Sequence, residues 1–171
     1  MSVKISKVKK HQINVLRDVI EVTFLDTFAH LNTAENIEIY SQAAFTTQQI
    51  SKEFRNENSF FFLIYFEDRI AGYLKLNTQD AQTDSKLENA LEIERIYILA
   101  EYQGKGLGKT LIEFSRQFAS EKNAQWLWLA VWEQNDKAIE FYKWQGLSEF
   151  SAHDFMLGHE TQRDILMKLK L

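Results

Sequence analysis

Apolar residues change their period along this chain in a way that marks out strands and helices in turn. Val3 to Val8 alternates apolar with polar positions, the pattern of a short half-buried strand. From Gln12 to about Phe28, Ile13, Leu16, Ile20 and Phe24 recur at intervals of three and four and share one helix face. Residues 33–56 are polar and suit two short helices. Ser59–Phe66 (SFFFLIYF) is continuous and aromatic; after Glu67-Asp68-Arg69 the run Ile70–Leu76 completes a β-hairpin. A polar loop over 78–89 leads into a strand, Leu91–Leu99. Glycines interrupt the pattern from Gly104 to Gly108, and Leu107, Leu111, Phe114 and Phe118 then mark a helix to about Lys122. Trp126–Val131 reads as a strand and Asp136–Trp144 as a short helix, with Asn135 as its N-cap and Gly146 as its stop. Two last strands fall near 148–156 and 163–170. The order β-α-α-β-β-β-α-β-α-β-β predicts a mixed α/β fold with both hairpins and crossovers.

Neither a linker nor a repeat breaks the 171 residues, so one domain over 1–171 is expected. With 20 basic and 24 acidic residues the net charge is −4, which gives no field toward a phosphate backbone and argues against nucleic acid as a partner. Such a balance suits a cationic small molecule better. Cysteine is absent, which removes disulfides, thiol nucleophiles and thiolate-bound zinc. His11, His30, His153 and His159 show no HxxxH or HExxH spacing, so no metal is expected. The longest apolar run, Phe60 to Phe66, falls far short of the roughly 20 residues of a membrane helix. Lys4, Lys7, Lys9 and Lys10 precede no apolar stretch of the kind a signal peptide carries, so no membrane association and a cytoplasmic location are expected.

The most informative stretch is Gln103-Gly104-Lys105-Gly106-Leu107-Gly108-Lys109, between a strand and a helix. Glycines here let the backbone approach a ligand and turn successive N–H groups toward it, while the helix behind adds its positive end; together they suit a pyrophosphate. The plain alternative is a flexible turn. A Walker loop would need a glycine where Gln103 stands, and a dinucleotide GxGxxG beginning at Gly104 would need one at Lys109, so an NTP-binding protein fits poorly. Q/R-x-x-G-x-G/A does fit, with Gln103, Gly106 and Gly108.

That motif resembles the acetyl-CoA pyrophosphate loop of the GCN5-related N-acetyltransferase (GNAT) superfamily, and the order of elements over nearly the whole chain is similar to that family's. GYLKLNTQDAQTD (72–84), LEIERIYILAEYQGKGLGK (91–109), VWEQNDKAIEFYKWQG (131–146) and HDFMLGHETQRDILM (153–167) resemble its PaiA-like branch, linked to spermidine and spermine acetylation. The resemblance implies a mostly antiparallel central sheet with helices on both faces and acetyl transfer from acetyl-CoA to a small amine in a ternary complex. It places Gln103, Gly104, Lys105, Gly106, Leu107, Gly108 and Lys109 on the pyrophosphate. It also implies that the Leu91–Leu99 strand splays from Trp126–Val131, with the pantetheine arm pairing with backbone groups of Ile96, Tyr97 and Ile98. In NxxAxxFY, Asn135 and Ala138 would meet the pantetheine, Lys143 a phosphate, and Tyr142 the departing thiolate. Read alone, Phe141 and Tyr142 are ordinary core aromatics.

Strict alternation in Leu91–Leu99 puts Glu92, Glu94, Ile96 and Ile98 on one face and Leu91, Ile93, Arg95 and Tyr97 on the other, with the acidic face at a rim or cleft. An amine is mostly protonated at neutral pH, so its acetylation needs a proton acceptor. By resemblance this is Glu94, nine residues before Gln103, with Glu92 second; the plain alternative pairs both with Arg95, Lys75 or solvent. The acceptor would enter over the first two helices and the last hairpin, where Glu21, Asp26, Glu35, Glu38 and Asp154 are ordinary solvated charges and carry no assignment. His153, Phe155 and Gly158 match the branch pattern without a physical role. An exposed last strand would offer an edge for a homodimer. Three other readings remain: an acetyltransferase for another small amine, one for amino acids or protein N-termini, and a non-catalytic CoA-binding regulatory module.

Overall fold

A computed structural model describes residues 2–171. Seven strands form one sheet: β1 (Val3–Lys7), β2 (Ser59–Phe66), β3 (Arg69–Thr78), β4 (Ala90–Ile98), β5 (Trp126–Trp132), β6 (Ser148–Leu157) and β7 (Glu160–Lys170). Their order is β1-β2-β3-β4-β5-β7-β6, antiparallel throughout except for the parallel pair β4–β5. Parallel neighbours need a crossover, and α4 (Leu107–Glu121) supplies it.

Helices cover both faces, as the resemblance implied. Against one face α4 and α5 (Asp136–Trp144) bury Leu107, Leu111, Ile112, Ile139 and Tyr142 on Leu91, Ile93, Leu127 and Leu129. Against the other, α1 (Ile13–Phe28), α2 (Ala34–Ala44) and α3 (Thr47–Phe54) bury Leu16, Ile20, Phe24, Ile37 and Ile50 on Phe61, Leu63 and Tyr73. The 33–56 region divides because Thr33 and Thr46 each cap a helix, their hydroxyls accepting from Asn36 N at 3.2 Å and Gln49 N at 3.1 Å. Three helices therefore lie between β1 and β2, where the expected order wrote two.

Two expectations are corrected. The last strand is not an edge, because β7 lies between β5 and β6 and leaves β1 and β6 at the margins. Nor does β4 alternate strictly. Leu76 pairs with Ile93 and Lys75 with Arg95, so Glu94 is an extra residue, a β-bulge. The bulge reverses the phase: Leu91, Ile93, Ile96 and Ile98 all meet the α4–α5 core, while Tyr97 packs on the α1–α3 side. Among the described residues no helix is long and apolar enough to cross a membrane.

Candidate active site

β4 and β5 pair only from Ala90↔Trp126 to Ile93↔Leu129. Beyond that point β5 continues on β7, down to Val131↔Ile165 and Trp132↔Asp164, while β4 continues on β3. The sheet opens as a fork. Leu99 N–H donates to the Ala71 carbonyl at 2.8 Å. By the alternation of an antiparallel ladder Tyr97 also bonds toward β3, which leaves the backbone of Ile96 and Ile98 facing the fork. Of the three residues expected there, Tyr97 does not present its backbone. The Ile98 carbonyl accepts from Gln103 Nε2 at 3.1 Å, so Gln103 ties the end of β4 to the glycine loop.

Gly104 and Gly106 take φ values of +75° and +80°, in the left-handed region that favours glycine. Both face open space, whereas a Cβ on Gly108 would stand 3.2 Å from the Phe141 ring, which sets the close approach of α4 to α5. Gly106 caps α4 without a side-chain hydrogen bond, and among the described residues no protein group accepts from the N–H groups of Gly106 to Lys109. A consecutive row of amides thus stands at the positive end of a 15-residue helix. Lys105 lies over the Phe66 ring, 5.7 Å from its centre, and Lys109 pairs loosely with Glu113 at 3.7 Å.

The carboxylates of β4 have different surroundings. Glu92 is 1% exposed and sealed under the 79–89 loop, where Thr83 donates from its backbone N at 2.8 Å and from its hydroxyl, and Asn77 Nδ2 donates at 3.2 Å. Burial pushes its carboxyl up, against the pull of these bonds. It meets no rim, contrary to expectation, because the loop folds over it. Glu94 keeps 17% of its side chain exposed and is held by Lys75 Nζ at 2.5 Å, Asn77 Nδ2 at 2.6 Å and Arg95 at 3.3 Å. Glu53 from α3 closes the cluster, at 2.8 Å from Lys75 and 3.1 Å from Arg95. Burial raises the Glu53 carboxyl, but Arg95 and Lys75 outweigh it and hold the group below its ordinary value. Two acids and two bases cancel here.

Tyr142 is 9% exposed in the α4–α5 core, and burial alone pushes its phenol well above 10. Its hydroxyl finds no hydrogen-bond partner among the described residues. Asn135 caps α5 by accepting from Ala138 N at 3.3 Å, and Ala138 packs on the same core. Lys143 is half exposed and pairs with Glu149 at 2.9 Å.

One group went unseen in the sequence. Asp164, opposite Trp132 on β5 and His153 on β6, has 16% of its side chain exposed; its nearest charged partner is His153 Nε2, at 3.9 Å, beyond hydrogen-bond reach. His153 Nδ1 lies 3.0 Å from Asp84 of the loop. Aromatic rings wall the space: Tyr40 stands 5.5 Å from Phe155, and Phe28 6.0 Å from Trp132. The available signal was an acid on the buried phase of a strand beside Leu166. A groove of about 740 Å³ between α1 and α2, lined by Glu21, Leu25, Ile37 and Glu38, contributes no residue to the fork.

Comparison with known proteins agrees with this geometry. The model of the acetyltransferase (GNAT) family matches residues 25–147. An uncharacterized N-acetyltransferase of Lactobacillus delbrueckii subsp. lactis is 38% identical over 169 residues, covering 99% of this chain and 98% of that one. A spermidine N(1)-acetyltransferase of Thermoplasma acidophilum is 24% identical over 163 residues, covering 92% and 96%. The crystal structure of the PaiA N-acetyltransferase of Thermoplasma acidophilum in complex with coenzyme A superposes with a TM-score of 0.77 at 22% identity over the full length of both chains. The chain belongs to the GNAT family of acetyltransferases and is an acyl-transferring enzyme.

Proposed function

We propose that this enzyme moves an acetyl group from acetyl-CoA to a primary amine of a polyamine, by direct attack in a ternary complex. The observation that carries the reading is the row of unbonded amides at the start of α4 beside the β4 backbone of Ile96 and the Ile98 N–H, which face the fork. A diphosphate satisfies the first and an amide-bearing pantetheine arm the second. The polyamine assignment is supported by the spermidine acetyltransferase relative and by the Asp164 carboxylate, which no lysine or arginine pairs among the described residues.

Gln103 to Lys109 hold the diphosphate, Asn135 and Ala138 line the other side of the arm, Lys143 meets a phosphate, and the N–H of Ile98 polarises the thioester carbonyl as charge builds on its oxygen. Glu94, the one β4 carboxylate that meets solvent, takes a proton from the amine through water. Lys75 and Arg95 beside it disfavour a further positive charge, so they favour the free base that attacks. Two protons leave the nitrogen in all: one goes to solvent by way of Glu94, the other ends on the coenzyme sulfur. Tyr142 donates a hydrogen bond to that sulfur as the C–S bond breaks.

Release of free CoA thiol tests the reading, with spermidine, spermine, amino acids and peptide N-termini compared side by side. Turnover fastest on polyamines is expected. Turnover fastest on peptides or amino acids would move the acceptor class, and acetyl-CoA binding with no turnover on any amine would make the protein a regulatory module. Tyr142→Phe should lower kcat about 10- to 100-fold while KM for the amine stays within about twofold. Its thermal midpoint should not fall, since the lost hydroxyl has no protein partner. A kcat equal to that of the unaltered enzyme would remove Tyr142 from the chemistry.

A further inference from the structure

We propose that Asp164 and His153 form an anionic subsite that binds the second, non-reacting ammonium of the acceptor and so selects diamines and polyamines over monoamines. This deepens the acetyl-transfer reading and rests on it.

The charges around the cleft are unevenly settled. On β4, Glu94 and Arg95 are balanced against Lys75 and Glu53. In the loop, Lys86 turns to Asp84 at 3.4 Å and to the Ala152 carbonyl at 2.7 Å. From α2 the neutral Tyr40 faces the site. From β6 comes His153 alone. Asp164 thus has no lysine or arginine partner among the described residues, although only 16% of its side chain is exposed. An uncompensated carboxylate in such a place is costly unless a ligand supplies the missing charge.

His153 completes the fit. Nδ1 lies 3.0 Å from Asp84 and Nε2 stands on the side of Asp164, so the tautomer that donates from Nδ1 keeps Nε2 as an acceptor there. The 3.9 Å between Nε2 and Oδ2 is too long for a direct bond, and an ammonium at that mouth donates one N–H to each. The neighbouring rings of Tyr40, Phe155 and Trp132 belong to a class of side chain that tolerates a cation nearby. Asp164 stands two strands from Glu94 across the opening of the fork, so the gap exceeds the roughly 10 Å of two regular strand spacings. One amine of a long dication reacts near Glu94 while the other keeps its charge on Asp164.

Steady-state kinetics with spermidine and with n-butylamine on the intact enzyme test the proposal. Asp164→Asn should raise KM for spermidine at least tenfold, leave KM for n-butylamine within about twofold, and change kcat at saturation little. His153→Gln, which removes the Nε2 acceptor while keeping an amide toward Asp84, should raise KM for spermidine several-fold and again spare n-butylamine. Burial pushes the Asp164 carboxyl above its ordinary 3.8, with His153 opposing. A raised carboxyl detracts from stability once the pH exceeds its folded value and not below its unfolded one. At neutral pH Asp164→Asn should therefore melt no lower than the unaltered protein, so its KM can be read. Equal KM changes for both amines, or none for either, would overturn the subsite while leaving acetyl transfer intact. Absence of turnover by the unaltered enzyme with both amines would overturn the acetyl-transfer reading itself, and the subsite with it.

Discussion

Gly72→Ala is expected to destabilise the fold by about 3 kcal/mol and to weaken acetyl-CoA binding at least about tenfold, although Gly72 touches no part of the proposed ligand site. Gly72 pairs with Ile98 across β3 and β4. A Cβ there would stand 2.1 Å from the Tyr97 carbonyl oxygen and 3.0 Å from Ile98 Cα. Both are backbone atoms, so no rotamer change relieves the overlap. The end of β4 must move, and that end carries the backbone of Ile96 and Ile98 and the carbonyl that anchors Gln103. Gly104→Ala makes the contrasting case. It meets nothing within 4 Å, so its cost is confined to left-handed backbone strain of about 1–2 kcal/mol. Urea midpoints and calorimetric titration with acetyl-CoA at low temperature distinguish the two. A native midpoint for Gly72→Ala would show that β4 is free to shift and that the fork is not rigidly spaced.

Whatever depends on neighbours in sequence is legible in the sequence. The glycine loop, the N-cap at Asn135 and the turn at Glu67-Asp68 are local, and each appears where its residue types require; Glu67 and Asp68 adopt φ of +48° and +63°, as a tight hairpin turn demands. The reversal of phase in β4 was legible too, since its apolar residues are Leu91 and Ile93 but then Ile96 and Ile98. A regular strand cannot put both pairs on one core, and only an extra residue between them can. An unbroken period of two puts Glu94 on the face of Ile96, and the bulge takes it off that face. Other features lay beyond sequence reading because they depend on sheet order. Asp164 and His153 face the cleft only because β7 inserts between β5 and β6, and Glu92 is sealed only because Thr83 folds across from the preceding loop. Long-range placement of this kind leaves no periodic trace.

Lys75→Met should cost about 3–5 kcal/mol, and adding Glu94→Gln should restore a good part of it. Lys75 is 4% exposed and lies over the Phe61 ring at 5.4 Å, so its stem already has an apolar bed that methionine can occupy. The loss is therefore electrostatic: Arg95 remains as the single cation between Glu53 and Glu94, and one buried negative charge goes unbalanced. Removing the Glu94 charge as well leaves the balanced pair of Arg95 and Glu53. Additive costs in this double-mutant cycle would show that the four groups are not coupled. The same network fixes the sign of the pH response. Glu53 is held below its ordinary value of 4.5, so its stabilising contribution is complete above that pH and is lost as the pH falls through the lower, folded value. In Lys75→Met that acid loss should shrink, because one of the two cations holding Glu53 down has gone. Activity follows a different rule. The double variant regains stability but lacks the carboxylate proposed to take the proton, so its kcat should stay at least about 100-fold below that of the unaltered enzyme. Recovery of kcat along with stability would reduce Glu94 to a structural ion pair and shift proton removal elsewhere in the cleft.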